Sequence, residues 1–377
     1  MRRELFAFLK LLRFQPPCLI KSGKAAYFSM AEVPNGPPLT TARVPVVELF
    51  QPGKVVHVCA PMVRYSKLPF RALVRRYNCD LAFTPMIIAE SFVKSLKARD
   101  SEFTTNSSDR PLVVQFAARD AVTLADASEI VAPYSDGIDL NCGCPQRWAM
   151  AEGYGSCLLK KPELISDMVR QARARVSDEN FSVSVKIRLH KDLRETVDLC
   201  QKAEHAGVSW IAVHGRTPSQ RGEPVNTDAI TLIKQSLSIP VIANGDIKNL
   251  EDVKHIHTST GIDGVMAARG ILQNPGMYAG YDQTPLQCVQ DWVDLSIKLG
   301  THFTCFHHHL MYMFERVTPK SEKRVFNALT STAAVLDYLQ EHYGVSYNPD
   351  STVNNETPPT QNGYAESIAD ISTDPVE

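Results

Sequence analysis

The chain has 377 residues, of which 44% are hydrophobic and 21% charged, and a formal net charge of −1. That composition suits one large α/β domain with a smaller companion, and no apolar run approaches the roughly 20 residues that a membrane span requires. Nine cysteines, an odd number with no CxxC pair, argue for reduced intracellular thiols and against a disulfide framework.

The near-neutral total hides a division. Residues 1–30 carry six Lys/Arg against Glu4 alone, whereas residues 344–377 carry six acids and no Lys/Arg. A polyanionic partner would therefore be held by a local basic face, not by the net field. The basic start has apolar residues at helical spacing (Leu5, Phe6, Leu9, Leu12); it reads as a disordered extension ahead of a second possible start at Met30, or as a mitochondrial presequence. The expected location is cytoplasmic, with mitochondrial as the alternative. Residues 1–45 are expected to be extension and linker, 46–284 the catalytic domain, 285–345 a helical domain and 346–377 a disordered acidic tail.

From Lys54 onward an apolar, β-branched run, a turn and an amphipathic stretch repeat. The eight runs are VVHVCAPM, LAFTPMI, PLVVQFA, GIDLNC, SVSVKIRL, WIAVHGR, PVIANGD and GVMAARG. Between them lie helix candidates such as LPFRALVRRY, PELISDMVRQARARV, LRETVDLCQKAEHAG and LEDVKHIHTST. Buried strands alternating with helices predict a parallel sheet, and eight repeats predict a (β/α)₈ TIM barrel in the α/β class. After Pro285 the pattern turns all-helical, predicting three or four helices as a small C-terminal domain. If that domain is a separate docking module, a barrel cut near Pro285 should keep its cofactor.

In a barrel the strand C-termini face one site. They carry Pro61 and Met62, Gln115, Asn141 and Cys144, Lys186 and Arg188, His214, then Asn244, Gly245 and Asp246, then Ala268 and Arg269. The NGD and ARG turns follow strands seven and eight, where barrels commonly bind phosphate through backbone N–H groups; tight-turn glycines are the plainer reading of either turn alone. One phosphate site with no second motif for an adenosine half points to FMN. A lysine in a barrel mouth needs an anion, and with His214 it would suit the N1/O2 edge of a reduced flavin. Gln115 would meet the flavin's pyrimidine edge, or else bond to backbone as an ordinary buried glutamine. A free thiol, with a pKa of about 8.5, is mostly protonated at neutral pH and suits proton donation, which makes Cys144 the candidate acid. Zinc on Cys142, Cys144 and Cys157 is the competing reading, but the spacing lacks a CxxC-like pair and a second half. The run His307, His308, His309 points three ways on a helix and so reads as scattered roles.

The segments CAPM, TPMI, VQFA, DLNCGCPQ, VKIR, VHGR, IPVIANGDI and DGVMAARG, in this order, resemble the tRNA-dihydrouridine synthases over residues 50–343. The strings RYSKLPFRALVRRY and NCGCPQRWAMAEGYGSCL look like the eukaryotic branch acting at D-loop uridines 20a and 20b. The resemblance implies a flavin barrel with a helical tRNA-binding domain, NADPH or NADH as reductant and tRNA as partner; no protein partner is inferred, and Arg147, Trp148, Arg216 and Arg221 become rim candidates to meet RNA, or else ordinary surface residues. It implies Cys144 as general acid, FMN contacts from Pro61, Met62, Val63, Gln115, Lys186, His214, Asn244, Gly245, Asp246, Ala268 and Arg269, and Asn141 and Arg188 near the target base. No resident metal is implied. A reductase of a small pyrimidine and an inactive RNA-binding barrel remain the alternatives.

Overall fold

The computed structural model describes residues 45–350; the expectations for the basic extension, the linker before Pro45 and the tail beyond Asp350 lie outside the described residues. Nine strands form one parallel sheet: β1 (Val56–Cys59), β2 (Leu81–Phe83), β3 (Ile87–Ile88), β4 (Leu112–Ala117), β5 (Gly137–Cys142), β6 (Ser182–Arg188), β7 (Ile211–His214), β8 (Val241–Asn244) and β9 (Gly264–Ala267). β1 pairs with both β9 and β2, and β2 pairs with β4, so the sheet closes on itself. β3 also pairs with β4. β2 and β3 are thus one barrel strand interrupted at Thr84, Pro85 and Met86, and the architecture is the expected eight-stranded (β/α)₈ barrel.

The interruption has a chemical cause. Pro85 has no N–H to give the ladder. Thr84 keeps the strands joined there: its backbone N–H donates to Val113 O (3.0 Å), and its Oγ1 accepts from Gln115 N (3.1 Å). Five of the eight expected runs overshoot their strands at the C-terminal end, where the chain bends away into loops. Gly245 (φ +122°) and Asp246 (φ +57°) end β8 in this way.

Helices cover the outside, among them Leu68–Arg75, Ala121–Val131, Pro162–Arg175, Leu193–His205, Thr227–Gln235 and Leu250–Thr260. The last matches its expected bounds; Asn249 Oδ1 caps its start by accepting from Asp252 N (2.8 Å), and Gly261 (φ +69°) ends it. Thr227–Gln235 was not among the expected helices, although Asn226 caps it in the same way through Ala229 N (2.9 Å).

Beyond Pro285 lie Leu286–Lys298, Phe303–Met313, Lys320–Asn327 and Thr332–Tyr343. They match the expected three or four helices, and Ser331 separates the last two by capping a new start through Ala334 N (3.1 Å). These helices share one hydrophobic core with the barrel. Buried Trp292 meets Phe70 edge to face at 6.3 Å, and His309 stacks on Phe70 at 4.4 Å. The three histidines divide as expected: His307 Nε2 bonds Phe326 O (2.9 Å), His308 Nδ1 lies 3.4 Å from Tyr65 Oη, and His309 Nε2 bonds Tyr65 O (3.1 Å). Cys305 Sγ adds a contact to Arg64 O at 3.2 Å. The loop after β1, which carries Pro61, Met62 and Val63, is therefore pinned by the helix Phe303–Met313.

That shared core revises the expectation for a barrel cut near Pro285. Removing the helices uncovers Phe70 and releases the β1 loop, so a chain ending at Pro285 should not melt as a cooperative barrel and should not retain cofactor. Trp292→Ala in the full chain should cost about 3–5 kcal/mol, the usual range for emptying a large buried aromatic site. Thermal and denaturant unfolding measure both, and a shortened chain that melts like the full one would contradict the shared-core reading.

Candidate active site

The strand register brings the polar residues of the barrel to one face. It sets Gln115 beside Asp139, Asp139 beside Ser184, Asn141 beside Lys186, Arg188 beside His214, and His214 beside Asn244. Lys186 Nζ donates to Asn244 Oδ1 (2.8 Å), reaching from β6 to β8 over the small Ala212. A bond that skips a strand must run through the interior, so this face points into the barrel. Alternation sends Ile138, Leu140 and Cys142 the other way, under the helices. Cys142 is fully buried there and its thiol pKa is pushed well up by burial.

A hydrogen-bonded relay crosses this interior. Ser184 Oγ donates to Asp139 Oδ1 (2.8 Å), and Gln115 Nε2 donates to Asp139 Oδ2 (2.8 Å). Asn141 Nδ2 donates to Gln115 Oε1 (2.9 Å), while Asn141 Oδ1 accepts from Cys144 N (2.9 Å) and Gly143 N (3.2 Å). Burial pushes the Asp139 carboxyl up to about 6, against the bonds from Gln115 and Ser184 and the nearby Lys186. Asp139 was missed in the sequence. Its signal was a carboxylate on the inward side of GIDLNC, where every second residue is polar or glycine.

Cys144 stands part-exposed beside a small cluster of Ala117, Ala149 and Tyr154. Its carbonyl accepts from Ser156 N (3.0 Å). Gly155 (φ +67°) packs so closely that a Cβ there would lie 2.6 Å from Cys144 O, so only glycine fits. Two flanking contacts, one through Asn141 and one through the turn at Gly155, thus hold the backbone of the thiol.

The mouth is rich in cations. Lys186 has no carboxylate within ion-pair distance among the described residues, and desolvation lowers its ammonium to about 8 against the pull of Asp139. Burial, together with Lys186, Arg188, Arg216 and Arg269, pushes His214 down to about 2, so the imidazole is neutral. Arg216 Nη1 lies 3.3 Å from His214 Nε2; a guanidinium only donates, so Nε2 accepts and the ring proton sits on Nδ1. Arg188 Nη1 donates to Thr217 O (3.0 Å).

Arg216 corrects the expectation of an RNA-facing rim residue. It is 3% exposed, its Nη2 lies 2.6 Å from both oxygens of Asp246, and its Nε donates to Glu223 O. The HGR string could not reveal this, because the partner carboxylate lies on a different turn, thirty residues on. Arg147, Trp148 and Arg221 are exposed, as expected of a rim. Burial works to raise the Asp246 carboxyl, but the Arg216 pair outweighs it and holds the group below its ordinary range.

The turns after β8 and β9 pack on each other. Asn244 Nδ2 donates to Met266 O (2.7 Å). A Cβ on Gly245 would stand 2.5 Å from Val225 Cγ1, and one on Gly270 would stand 2.2 Å from Ile247 O. These glycines are therefore required by protein packing, and the close approach brings Gly245 and Asp246 to the side of Ala268 and exposed Arg269. On the opposite side, Met62 is buried with its N–H on Ser66 Oγ (3.0 Å), Pro61 is part-exposed and Val63 is 54% exposed. An electropositive mouth with an unpaired ammonium, a neutral imidazole and an exposed guanidinium beside two tight turns fits an anionic, phosphate-bearing group.

Known proteins match this chain over the same residues. The model of the family described as Dihydrouridine synthase (Dus) matches residues 58–345. A human protein named tRNA-dihydrouridine(20a/20b) synthase (NAD(P)+)-like is 64% identical over 299 residues, covering 79% of this chain and 94% of the human one. The Schizosaccharomyces pombe tRNA-dihydrouridine(20a/20b) synthase (NAD(P)+) is 45% identical over 303 residues, 80% of this chain and 92% of the yeast one. A mouse tRNA-dihydrouridine(16/17) synthase (NAD(P)(+))-like protein is 33% identical over 300 residues, 76% of this chain and 62% of its own length. With the family model spanning most of the chain and the barrel closing around the residues that carried the resemblance, this chain belongs to the dihydrouridine synthase family.

Proposed function

We propose that this chain reduces a D-loop uridine of tRNA, at position 20a or 20b, to 5,6-dihydrouridine, with bound FMN, NADPH or NADH as reductant, and Cys144 as the proton donor. The observation that carries the reading is the pairing of a part-exposed thiol on a doubly held loop with a desolvated, counterion-free Lys186 across the same barrel mouth. The names of the similar human and yeast proteins support the substrate and the position.

Bound FMN would supply the hydride for one carbon of the uracil 5,6 double bond. The chain's own residues do the rest. Lys186 and the Nδ1–H of neutral His214 suit the N1/O2 edge, where charge develops. Gln115 has one N–H left over from the relay for the pyrimidine edge. Gly245, Ala268 and Arg269 offer backbone and guanidinium donors for a phosphate. Asp246 contributes its backbone, since its carboxylate is taken by Arg216 and so does not repel the phosphate. Asn244 acts through Lys186, and Pro61, Met62 and Val63 flank the ring from the β1 loop. Asn141 and Arg188 face the base, and Cys144 delivers a proton to the second carbon.

The base must leave its stack to reach a barrel mouth, and an RNA loop permits that for a few kcal/mol. Arg147, Trp148 and Arg221 are proposed to meet RNA at the rim, with the helices of residues 285–345 as the docking face; Trp148, 46% exposed, suits stacking on a base.

Cys144→Ala should leave flavin reduction by NADPH intact and slow reoxidation by tRNA about 10²–10⁴-fold, the range for losing a positioned general acid. Cys142→Ala, facing the helices, should be far milder in that step. Stopped-flow absorbance resolves the two half-reactions, and a Cys144 variant that loses the first half would sink the assignment. A second expectation follows from Lys186. Its pKa is lowered to about 8, so it carries charge below that pH and loses it above; a ligand that prefers the ammonium must bind more weakly as pH rises through about 8. FMN affinity, titrated by fluorescence, should fall across that window in the native chain and stay flat in Lys186→Met. Equal slopes in both proteins would exclude Lys186 as the contact.

A further inference from the structure

Asp139 is 0% exposed and lies two residues before Asn141 on β5, beneath the mouth. The relay above it has fixed ends. Both Asp139 oxygens accept, one from Ser184 Oγ and one from Gln115 Nε2. At the far end the backbone N–H groups of Gly143 and Cys144 can only donate, and both point at Asn141 Oδ1. Between them stand two carboxamides, each with one oxygen and one NH₂. Only one pair of orientations satisfies every member; turning either amide over sets N–H against N–H or oxygen against oxygen. The acceptor beside Gln115 and the two donors beside Asn141 thus require the same single arrangement, and the acceptor anchors its lower end.

From this geometry we infer that Asp139 is a positioning residue: it anchors the Gln115–Asn141 relay from below and through it holds the backbone of Gly143 and Cys144 at the mouth. Its catalytic consequence rests on the proposed role of Cys144, but the relay itself does not. What matters is the acceptor, and the substitutions separate that from volume or charge. In Asp139→Leu the acceptor is lost at similar volume, Gln115 Nε2 is left without a partner, and the relay loses its anchor at the lower end. Asp139→Asn keeps an oxygen toward Gln115, because the Ser184 hydroxyl can accept from the new NH₂ and donate to Ile138 O, which already lies 3.4 Å away.

The test is hydrogen–deuterium exchange of the peptide spanning residues 141–146 in the full-length protein at pH 7.5, read by mass spectrometry beside thermal melting. Exchange at the Gly143 and Cys144 amides should be about five- to tenfold faster in Asp139→Leu, the scale of losing one net hydrogen bond. It should stay within about twofold of the native chain in Asp139→Asn. The Leu variant leaves the buried Gln115 amide unsatisfied and should melt somewhat earlier than the native chain, but peptides remote from the loop should keep native exchange; a purely architectural role would loosen them together with the loop. Gln115→Met, which cuts the relay one member higher, should match Asp139→Leu and carries the test if the latter fails to fold. Native-like protection in the folded Leu or Met variant overturns the inference, as does an Asn variant as loose as the Leu variant. Faster loop exchange with full-rate tRNA reduction would leave the relay standing and overturn its catalytic consequence.

Discussion

A carboxyl group inside a barrel of apolar strands is tolerated when donors meet both of its oxygens, and Asp139 receives Ser184 and Gln115 from the two neighbouring strands. Those two bonds exist only because the parallel register sets all three residues side by side on the inward face. One slip of register would turn each of them outward under the helices. The polar interior is thus a consequence of strand pairing, and the loop that carries Cys144 inherits its position from that pairing through Asn141. Burial raises the carboxyl pKa to about 6, which records the cost of keeping such a group inside the barrel.

The same interior explains the electrostatics of the mouth. Lys186 sits on the strand beside Asp139 and feels its charge, but its hydrogen bond goes to Asn244 on the far side of β7. Burial, and after it this ammonium and the guanidinium groups of Arg188, Arg216 and Arg269, keep His214 neutral, so the mouth offers donors and positive charge together. Asp246 would spoil this at a phosphate site were it free; Arg216 neutralises it from inside. The β1 loop forms the opposite wall and is held from outside the barrel, by Cys305, His308 and His309. Contacts that dock the helical region therefore also shape the site, which couples the part of the chain proposed to meet RNA to the part proposed to hold the cofactor.

Much of this was legible in the residues. β5 keeps the expected bounds because its run is bracketed by Gly137 and a loop, and Leu250–Thr260 does so because Asn249 and Gly261 mark both ends. The strand split at Pro85 was readable only by letting the missing N–H outweigh a continuous apolar pattern. Thr227–Gln235 escaped because its apolar face is short and follows a polar loop, leaving the Asn226 cap as its main signal. Two features were beyond local pattern altogether. Arg216 looked like a rim cation because its partner Asp246 lies on another turn, and the helical region looked detachable because Phe70 and Trp292 meet across a long sequence separation. In both cases a tertiary contact decided the role, and nothing in the neighbouring residues encodes that contact.

This barrel mouth is proposed to make dihydrouridine at the neighbouring positions 20a and 20b of tRNA. Mapping dihydrouridine at single-nucleotide resolution in tRNA from cells lacking this protein, against cells with it restored, addresses that most directly. The account predicts loss of the modification at positions 20a and 20b, with other D-loop sites unchanged, and recovery on restoring the native chain. Unchanged dihydrouridine at 20a and 20b, or loss confined to other positions, would contradict it.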